Sequence, residues 1–311
     1  MQTEQELLTG LLAIENGAGE AVKVETTQER NYEFAQNHHG MMSGSSIGSI
    51  IIEPASESEI VAKQAEIVAK QAEIDSSKTG RTATKEKELA VLQRALEKLQ
   101  AQEFSQTAKS YLDEIVSQRR RAFNPERPRA FKGNAPTEWG NGKERESIAA
   151  YEALTGLKLD KTGDKQEFIR LRYIESVDFD FSEWFGCTPD SATLTNIIKP
   201  SFLQTRRIPR EFKNPASGVV FDRYREFKNS LDLKKENALY YWQCVAQMAC
   251  LDAPDRQWIA YDCDIKSDNP ADKFVVIDFE RDLAVEQVLI NSLFKAVQYI
   301  EKRIEFLDGL N

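Results

Sequence analysis

Histidine is nearly missing from this 311-residue chain: His38 and His39 stand side by side in a polar stretch, and there are no others. That scarcity argues against Ser-His-Asp or Cys-His catalysis and against a histidine-ligated zinc, and the adjacent pair reads as part of a loop. Cysteine is sparse as well. Cys187, Cys244, Cys250 and Cys263 form no CxxC and no disulfide rhythm, so they read as small apolar fillers in a reducing compartment. No apolar run approaches the length of a membrane span. The opening Met1-Gln-Thr-Glu-Gln-Glu6 lacks the basic start and apolar core of a secretion signal. A cytoplasmic protein without membrane association is therefore expected. The Gly-x4-Gly-Lys-Ser/Thr loop is absent, which leaves P-loop nucleotide hydrolysis without support. Positive charge is in deficit too, with 41 Lys and Arg against 50 Asp and Glu and a net charge of -9. Taken alone, such a balance argues against a general nucleic-acid binder, although local clusters of Arg and Lys matter more, and it suits a metal site.

What remains is a globular composition, 41% hydrophobic and 29% charged. Residues 1–40 read as a polar N-terminal segment with a short apolar stretch at 7–14. Residues 41–311 read as one domain. Within it Glu59-Ile-Val-Ala-Lys-Gln-Ala65 recurs as Glu66-Ile-Val-Ala-Lys-Gln-Ala72. Ile60, Val61, Ile67 and Val68 fall on one helical stripe, and Glu59/Lys63 and Glu66/Lys70 make i,i+4 pairs. Leu89, Leu92, Leu96 and Leu99 then repeat at helical spacing. Two heptads are too few for a long coiled coil, so an inserted helical hairpin over about 57–104 is expected.

Further helices are expected over 107–116, 144–154, 238–251 and 285–307, with a loop over 124–136. Strands are expected around 168–174, 177–181, 219–228, 258–261 and 274–279. Strands interleaved with helices give an α/β class. Trp184, Trp242 and Trp258 read as core or strand-face aromatics. Two basic clusters interrupt the acidic background: Arg119, Arg120 and Arg121 continuing to Arg127, Arg129 and Lys132, and Arg206 and Arg207 with Arg210 and Lys213. Both sit in segments that read as loops. Their alternative roles are phosphate contacts or surface ion pairs.

The chemistry-bearing pattern is Pro189-Asp190 followed by Glu226-Phe227-Lys228. Residues two apart on a strand share a face, so Glu226 and Lys228 would stand side by side. Carboxylates are hard oxygen ligands suited to Mg²⁺, and a nearby amine can orient water at a phosphate. An exposed ion pair is the plain alternative.

This pattern resembles the PD-(D/E)xK nucleases, and three further segments resemble the viral recombination exonucleases, the family that includes phage lambda exonuclease. Gly140-Asn-Gly-Lys-Glu-Arg-Glu-Ser, running on to Tyr151 and Thr155-Gly156, is similar to the family's helix, with Glu144 at the metal-facing position and Ser147 where Ala is usual. Tyr240-Tyr-Trp-Gln243 is similar to its glutamine-bearing helix. Ser43-Gly-Ser-Ser-Ile-Gly-Ser-Ile50 is similar to its N-terminal segment near the scissile end, with Ser43 replacing the usual Arg.

The resemblance implies a restriction-endonuclease-like core, a mixed sheet flanked by helices. It implies an exonuclease that digests linear double-stranded DNA, 5′ to 3′, dependent on two Mg²⁺ ions with Mn²⁺ as a substitute. Asp190, Glu226 and the Phe227 carbonyl would hold one ion, and Glu144 with Asp190 the other. Lys228 would act on the attacking water, with Gln243 in support. Ser45, Ser46, Arg119, Arg120, Arg121, Arg206 and Arg207 would meet DNA. The product strands would pass to a phage single-strand annealing protein, and a homotrimer around DNA is the implied assembly. A structure-specific endonuclease, or a non-catalytic DNA-binding scaffold that kept the fold, are the other readings.

Overall fold

A computed structural model of the chain describes residues 32, 35–55, 57–77, 82–101, 103–125, 135–160, 162–163, 166–199 and 202–310. The apolar stretch at 7–14, Arg127, Arg129, Lys132 and most of the expected loop at 124–136 lie outside them.

The main sheet has the order β6-β7-β8-β9, built from β6 (Ser191–Lys199), β7 (Phe202–Lys213), β8 (Asp255–Tyr261) and β9 (Phe274–Glu280). It is mixed. β6 and β7 form an antiparallel hairpin from Ser191↔Arg210 to Lys199↔Phe202. Only the end of β7, Arg210 to Lys213, continues into the sheet, pairing in parallel with Gln257 to Ala260 of β8. β8 and β9 then pair antiparallel. Trp258, Ile259 and Ala260 are wholly buried, as expected of a strand covered on both faces. In β9, Phe274-Val-Val-Ile-Asp-Phe-Glu280, buried and exposed residues alternate, the signature of a strand with one wet face.

The hairpin β6–β7 was not expected. Residues 191–213 look like an insertion in sequence, yet they contain the two longest strands among the described residues. Pro209 sits within β7, opposite Ala192. A proline inside a run normally argues against a strand, because it brings no N–H to the ladder.

A helix that runs Ala238–Leu251 packs on one face of the sheet, and one that runs Ala135–Thr155 on the other. In chain order the helices are α1 (Glu57–Asp75), α2 (Ala83–Ala101), α3 (Gln106–Arg119), α4 (Ala135–Thr155), α5 (Gly218–Tyr224), α6 (Ser230–Glu236), α7 (Ala238–Leu251) and α8 (Leu283–Asp308). α7 starts where Asn237 accepts from the Tyr240 N–H and stops at Asp252, in left-handed backbone. Every residue from Tyr241 to Ala249 is buried, so α7 is the spine of the core. α8 lies behind it, burying Leu289, Ile290, Leu293, Ala296, Val297 and Ile300 at helical spacing, and α3 joins it through Leu112, Ile115 and Val116. On the opposite face α4 supplies Ile148 and Tyr151 against Phe212 and Ile259. The α/β class with a mixed sheet flanked by helices is what the chain forms.

The inserted hairpin is also present: α1 and α2 pack on one another. Ile60 and Ile67 are half-buried, while Val61 and Val68 are exposed, so the stripe is narrower than the repeat suggests. Lys63 and Lys70 pair with Glu66 and Glu73, at 2.7 Å and 3.0 Å, one residue closer than the i,i+4 partners that the repeat offers. Lys70 also reaches Glu88 on α2 at 3.1 Å.

Three shorter expectations are corrected. The run 168–174 breaks into β2 (Ile169–Arg170) and β3 (Tyr173–Ile174). Val177 closes a 3₁₀ turn before β4 (Phe179–Asp180). Residues 219–228 are not a strand: α5 occupies Gly218–Tyr224, with Phe221 and Tyr224 buried three apart and Val219 exposed. The run Val-Val-Phe-Asp-Arg-Tyr has β-rich composition, but its buried residues follow the helical period.

A small second sheet, β1-β5-β2, joins β1 (Met42–Ser43) in parallel to β5 (Phe185–Cys187), with β2 antiparallel on the other side. Its middle residue must be glycine. A Cβ on Gly186 would lie 2.4 Å from Phe168 Cζ and 2.9 Å from the Ile169 carbonyl oxygen. Gly186→Val is expected to lower stability by about 1–3 kcal/mol, read as an earlier urea unfolding midpoint.

Candidate active site

The end of the β6–β7 ladder sets the geometry. Ser191 pairs with Arg210, so Asp190 and Glu211 are the next residues on either strand, facing one another. The Asp190 carboxylate accepts from the Phe212 N–H at 2.7 Å, which fixes it against β7. Glu211 and Lys213 are two apart on a true strand and share the face toward α7, while Phe212 points toward Tyr151 of α4, ring centroids 5.7 Å apart. Lys213 Nζ donates to Glu211 Oε1 at 2.6 Å and lies 4.8 Å from the centre of the Tyr240 ring. Gln243 Nε2 donates to the same Glu211 oxygen at 2.7 Å, and Gln247 Nε2 donates to Oε2 at 2.7 Å. Glu211 is only 2% exposed.

Glu144 reaches the group from α4. Gln166 Nε2 bridges it to Asp190, at 3.0 Å from Glu144 Oε1 and 3.5 Å from Asp190 Oδ1. Gly140, Glu144, Asp190, Phe212, Lys213, the 214–217 loop, Val220, Tyr224 and Tyr240 line one open cleft of about 500 Å³.

The charges in this cleft do not balance. Burial pushes the Asp190 carboxyl well above its ordinary range, and the carboxylates of Glu211 and Glu144 push it the same way. Lys213 and the Phe212 N–H oppose them without cancelling them. Burial alone would depress the Lys213 ammonium, but Glu211, Asp190 and Tyr240 outweigh it and hold Lys213 above the usual lysine range. Three carboxylates with one ammonium are an excess of hard oxygen donors that a divalent cation would neutralise. The donor set therefore fits Mg²⁺ or Mn²⁺.

Of the residues singled out in the sequence, Asp190, Glu144 and Gln243 are brought together. Glu226 and Lys228 are not. Both lie exposed in the turn after α5, where the Lys228 N–H donates to Asp232 at 3.0 Å. Phe227 packs at a tilt against Tyr224, centroids 5.4 Å apart. The pair sharing a strand with the right spacing to Asp190 is Glu211 and Lys213.

The serine segment packs beside β5 and the start of α7, and none of its residues lines the cleft. Ser43 Oγ and Ser45 Oγ are 3.2 Å apart, Ser46 ends a turn against Ser43, and the Ser43 N–H donates to Tyr111 at 3.1 Å. Gly48 lets this segment lie on the start of α7, since a Cβ there would meet Leu239 Cα at 2.8 Å.

The arginines are differently employed than loop residues would be. Arg119 ends α3, donates to the carbonyls of Gly40 and Glu183 at 2.9 Å and 2.8 Å, and lies 3.8 Å over the Trp184 ring. Arg120 pairs with Asp308 at 2.9 Å, and Arg121 with Ser117. Arg206 and Arg207 belong to β7, not to a loop; Arg207 pairs with Glu167 at 2.8 Å. Arg119→Gln is expected to cost about 1–3 kcal/mol of folding stability by urea denaturation.

No protein-family model matches the chain, and no curated protein matches it significantly. Solved structures do match in fold. An alkaline exonuclease (LHK-Exo) from Laribacter hongkongensis is similar at a TM-score of 0.54 and 15% identity, over 89% of this chain and 96% of that one. The same protein in complex with dAMP gives 0.54 and 16% over 90% and 96%. A phage-related exonuclease from Haemophilus somnus 129PT gives 0.51 and 16% over 88% and 99%. These likenesses establish a shared fold. They agree with the family resemblance read from the sequence.

Proposed function

We propose that this chain is a metal-dependent deoxyribonuclease that digests linear duplex DNA from its ends. The observation that carries this is the convergence of Asp190, Glu211 and Lys213 at the end of one hairpin, in a cleft of a fold shared with exonucleases.

Asp190, Glu211 and the Phe212 carbonyl would hold one divalent ion, and Glu144 with Asp190 a second. A bound Mg²⁺ neutralises charge on the phosphate and makes water more acidic. The protein's own groups do the rest. Lys213 carries three N–H bonds and spends one on Glu211, leaving two for the attacking water and a phosphate oxygen. Its raised proton affinity suits charge stabilisation and water orientation over proton removal. Gln243 holds Glu211 in the rotamer that faces Asp190. Val220, Tyr224 and Tyr240 give the cleft an apolar side for the nucleoside of the scissile end.

Consistent with the family resemblance, the direction is 5′ to 3′, the single strands pass to a phage annealing protein in recombination, and three copies encircle DNA. Of the two basic clusters, the one carried by β7, Arg206 and Arg207, shares its strand with Glu211 and would meet the phosphate backbone. Ser45 and Ser46 approach the terminal phosphate. The test incubates purified protein with linear and closed circular duplexes, with Mg²⁺ or with EDTA. Loss of the linear DNA alone, only with Mg²⁺, is expected. Nicking of the circle would favour an endonuclease, and no cleavage of either would favour a non-catalytic scaffold.

A further inference from the structure

Behind Glu211 lies a second layer of buried polar groups that phosphodiester chemistry does not itself require. Gln247 is wholly buried on α7, one helical turn after Gln243. Its amide nitrogen donates to Glu211 Oε2 at 2.7 Å, and its amide oxygen accepts a short hydrogen bond from Arg256 Nη1. Arg256, on β8, is 1% exposed. Its Nη2 donates to the Gln257 carbonyl at 3.2 Å, and its guanidinium lies 6.0 Å from the centre of the Phe279 ring. Its Nε has no partner among the described residues, and no carboxylate there makes an ion pair with it.

A buried guanidinium without a counter-ion is costly, so it needs a negative charge within reach. Glu211 offers one, with a single amide between. That amide can point only one way. Reversed, it would set its NH₂ against the guanidinium and its oxygen against the carboxylate, losing both bonds.

Resting on the nuclease reading above, we infer that Gln247 and Arg256 are positioning residues for metal binding. Arg256 fixes the Gln247 amide, and Gln247 fixes the Glu211 carboxylate and brings the buried positive charge to bear on it. Glu211 then keeps its rotamer toward Asp190 while negative charge accumulates in the cleft. Outer partners of this kind govern metal affinity by about 10–100-fold. The layer is specific in its chemistry: an apolar residue at 247 would leave both Arg256 and one Glu211 oxygen unsatisfied.

Two variants separate positioning from packing. Gln247→Glu keeps the shape and gives Arg256 a direct ion pair, but sets a carboxylate against Glu211. Arg256→Met removes the buried charge at similar volume, a change that buried ionic groups often tolerate. The measurement is Mn²⁺ binding to the full chain without DNA, by calorimetry, alongside thermal unfolding in EDTA. Both variants should unfold cooperatively within a few degrees of wild type, yet bind Mn²⁺ about 10-fold or more weakly. Gln247→Asn, which shortens the bridge, should fall between them and wild type. Wild-type Mn²⁺ affinity in folded Gln247→Glu and Arg256→Met would overturn the inference. Should either variant fail to fold, the folded one and Gln247→Asn decide. If wild-type protein binds Mn²⁺ but cleaves no DNA, the nuclease reading fails and this comparison still stands.

Discussion

Lys213→Ala and Glu211→Ala are each expected to reduce digestion of linear duplex DNA by about 10²–10³-fold, on the scale seen when a preorganised group is removed from a reacting centre. Lys228→Ala and Glu226→Ala should digest at close to the wild-type rate. The contrast follows from position. Glu211 and Lys213 share a strand face 2.6 Å apart beside Asp190, whereas Glu226 and Lys228 are exposed in a turn that only returns the chain to α6. Glu211→Ala also leaves Gln243, Gln247 and Lys213 without their acceptor, so a loss of stability should accompany the loss of rate. Lys213→Ala deletes no buried acceptor and should retain a cooperative fold. Initial rates on end-labelled duplex, with unfolding curves for each variant, measure both. Equal rates for Lys213→Ala and wild type would remove Lys213 from the chemistry.

Asp190→Asn should abolish digestion and, without metal, make the protein more stable at neutral pH. Asp190's carboxyl is held above its ordinary range in the folded chain, chiefly by burial and then by Glu211 and Glu144. A group with a raised folded pKa contributes its stability below the unfolded value, and that contribution is lost as pH rises through the folded value. At neutral pH in EDTA the buried acid is therefore a liability of the fold. Asparagine removes the charge and keeps an oxygen for the Phe212 N–H. A gain of about 1–2 °C in unfolding temperature is expected, equivalent to roughly 1 kcal/mol in a chain of this size. The gain should shrink as pH falls toward the ordinary carboxylate range and should vanish for wild type saturated with Mg²⁺. Equal midpoints at every pH would show that Asp190 carries no strain from its neighbours.

Most of the helices were legible, and for a physical reason. The run 238–251 carries apolar residues at nearly every position between an asparagine cap and Asp252, and the structure places α7 at Ala238–Leu251. The helical hairpin, Glu144, Asp190 and Gln243 were legible too. Glu211 and Lys213 were hidden although Glu211-Phe-Lys213 is itself a Glu-x-Lys match. It lies 21 positions after Asp190, against 36 for Glu226 (211 − 190 and 226 − 190). Two local signals pointed the wrong way. Pro209 and the arginines around it disguise β7 as a loop, because strand runs are read from unbroken alternation. Val219, Val220, Phe221 and Tyr224 disguise α5 as a strand, because β-rich composition outweighed the helical spacing of the buried pair. A hairpin is a non-local object. Asp190 meets Glu211 only once Ser191 is paired with Arg210, and neither segment announces that register alone. Gln247 and Arg256 were hidden for the same reason: their partnership exists only where α7 crosses β8.

The most direct measurement is the anomalous difference map of crystals soaked in Mn²⁺. A peak bound by Asp190 and Glu211, with Glu144 beside it, is the result expected of this site. A protein whose Mn²⁺ sits elsewhere, at Asp262 and Asp264 or beside Glu226, with nothing between Asp190 and Glu211, would contradict it.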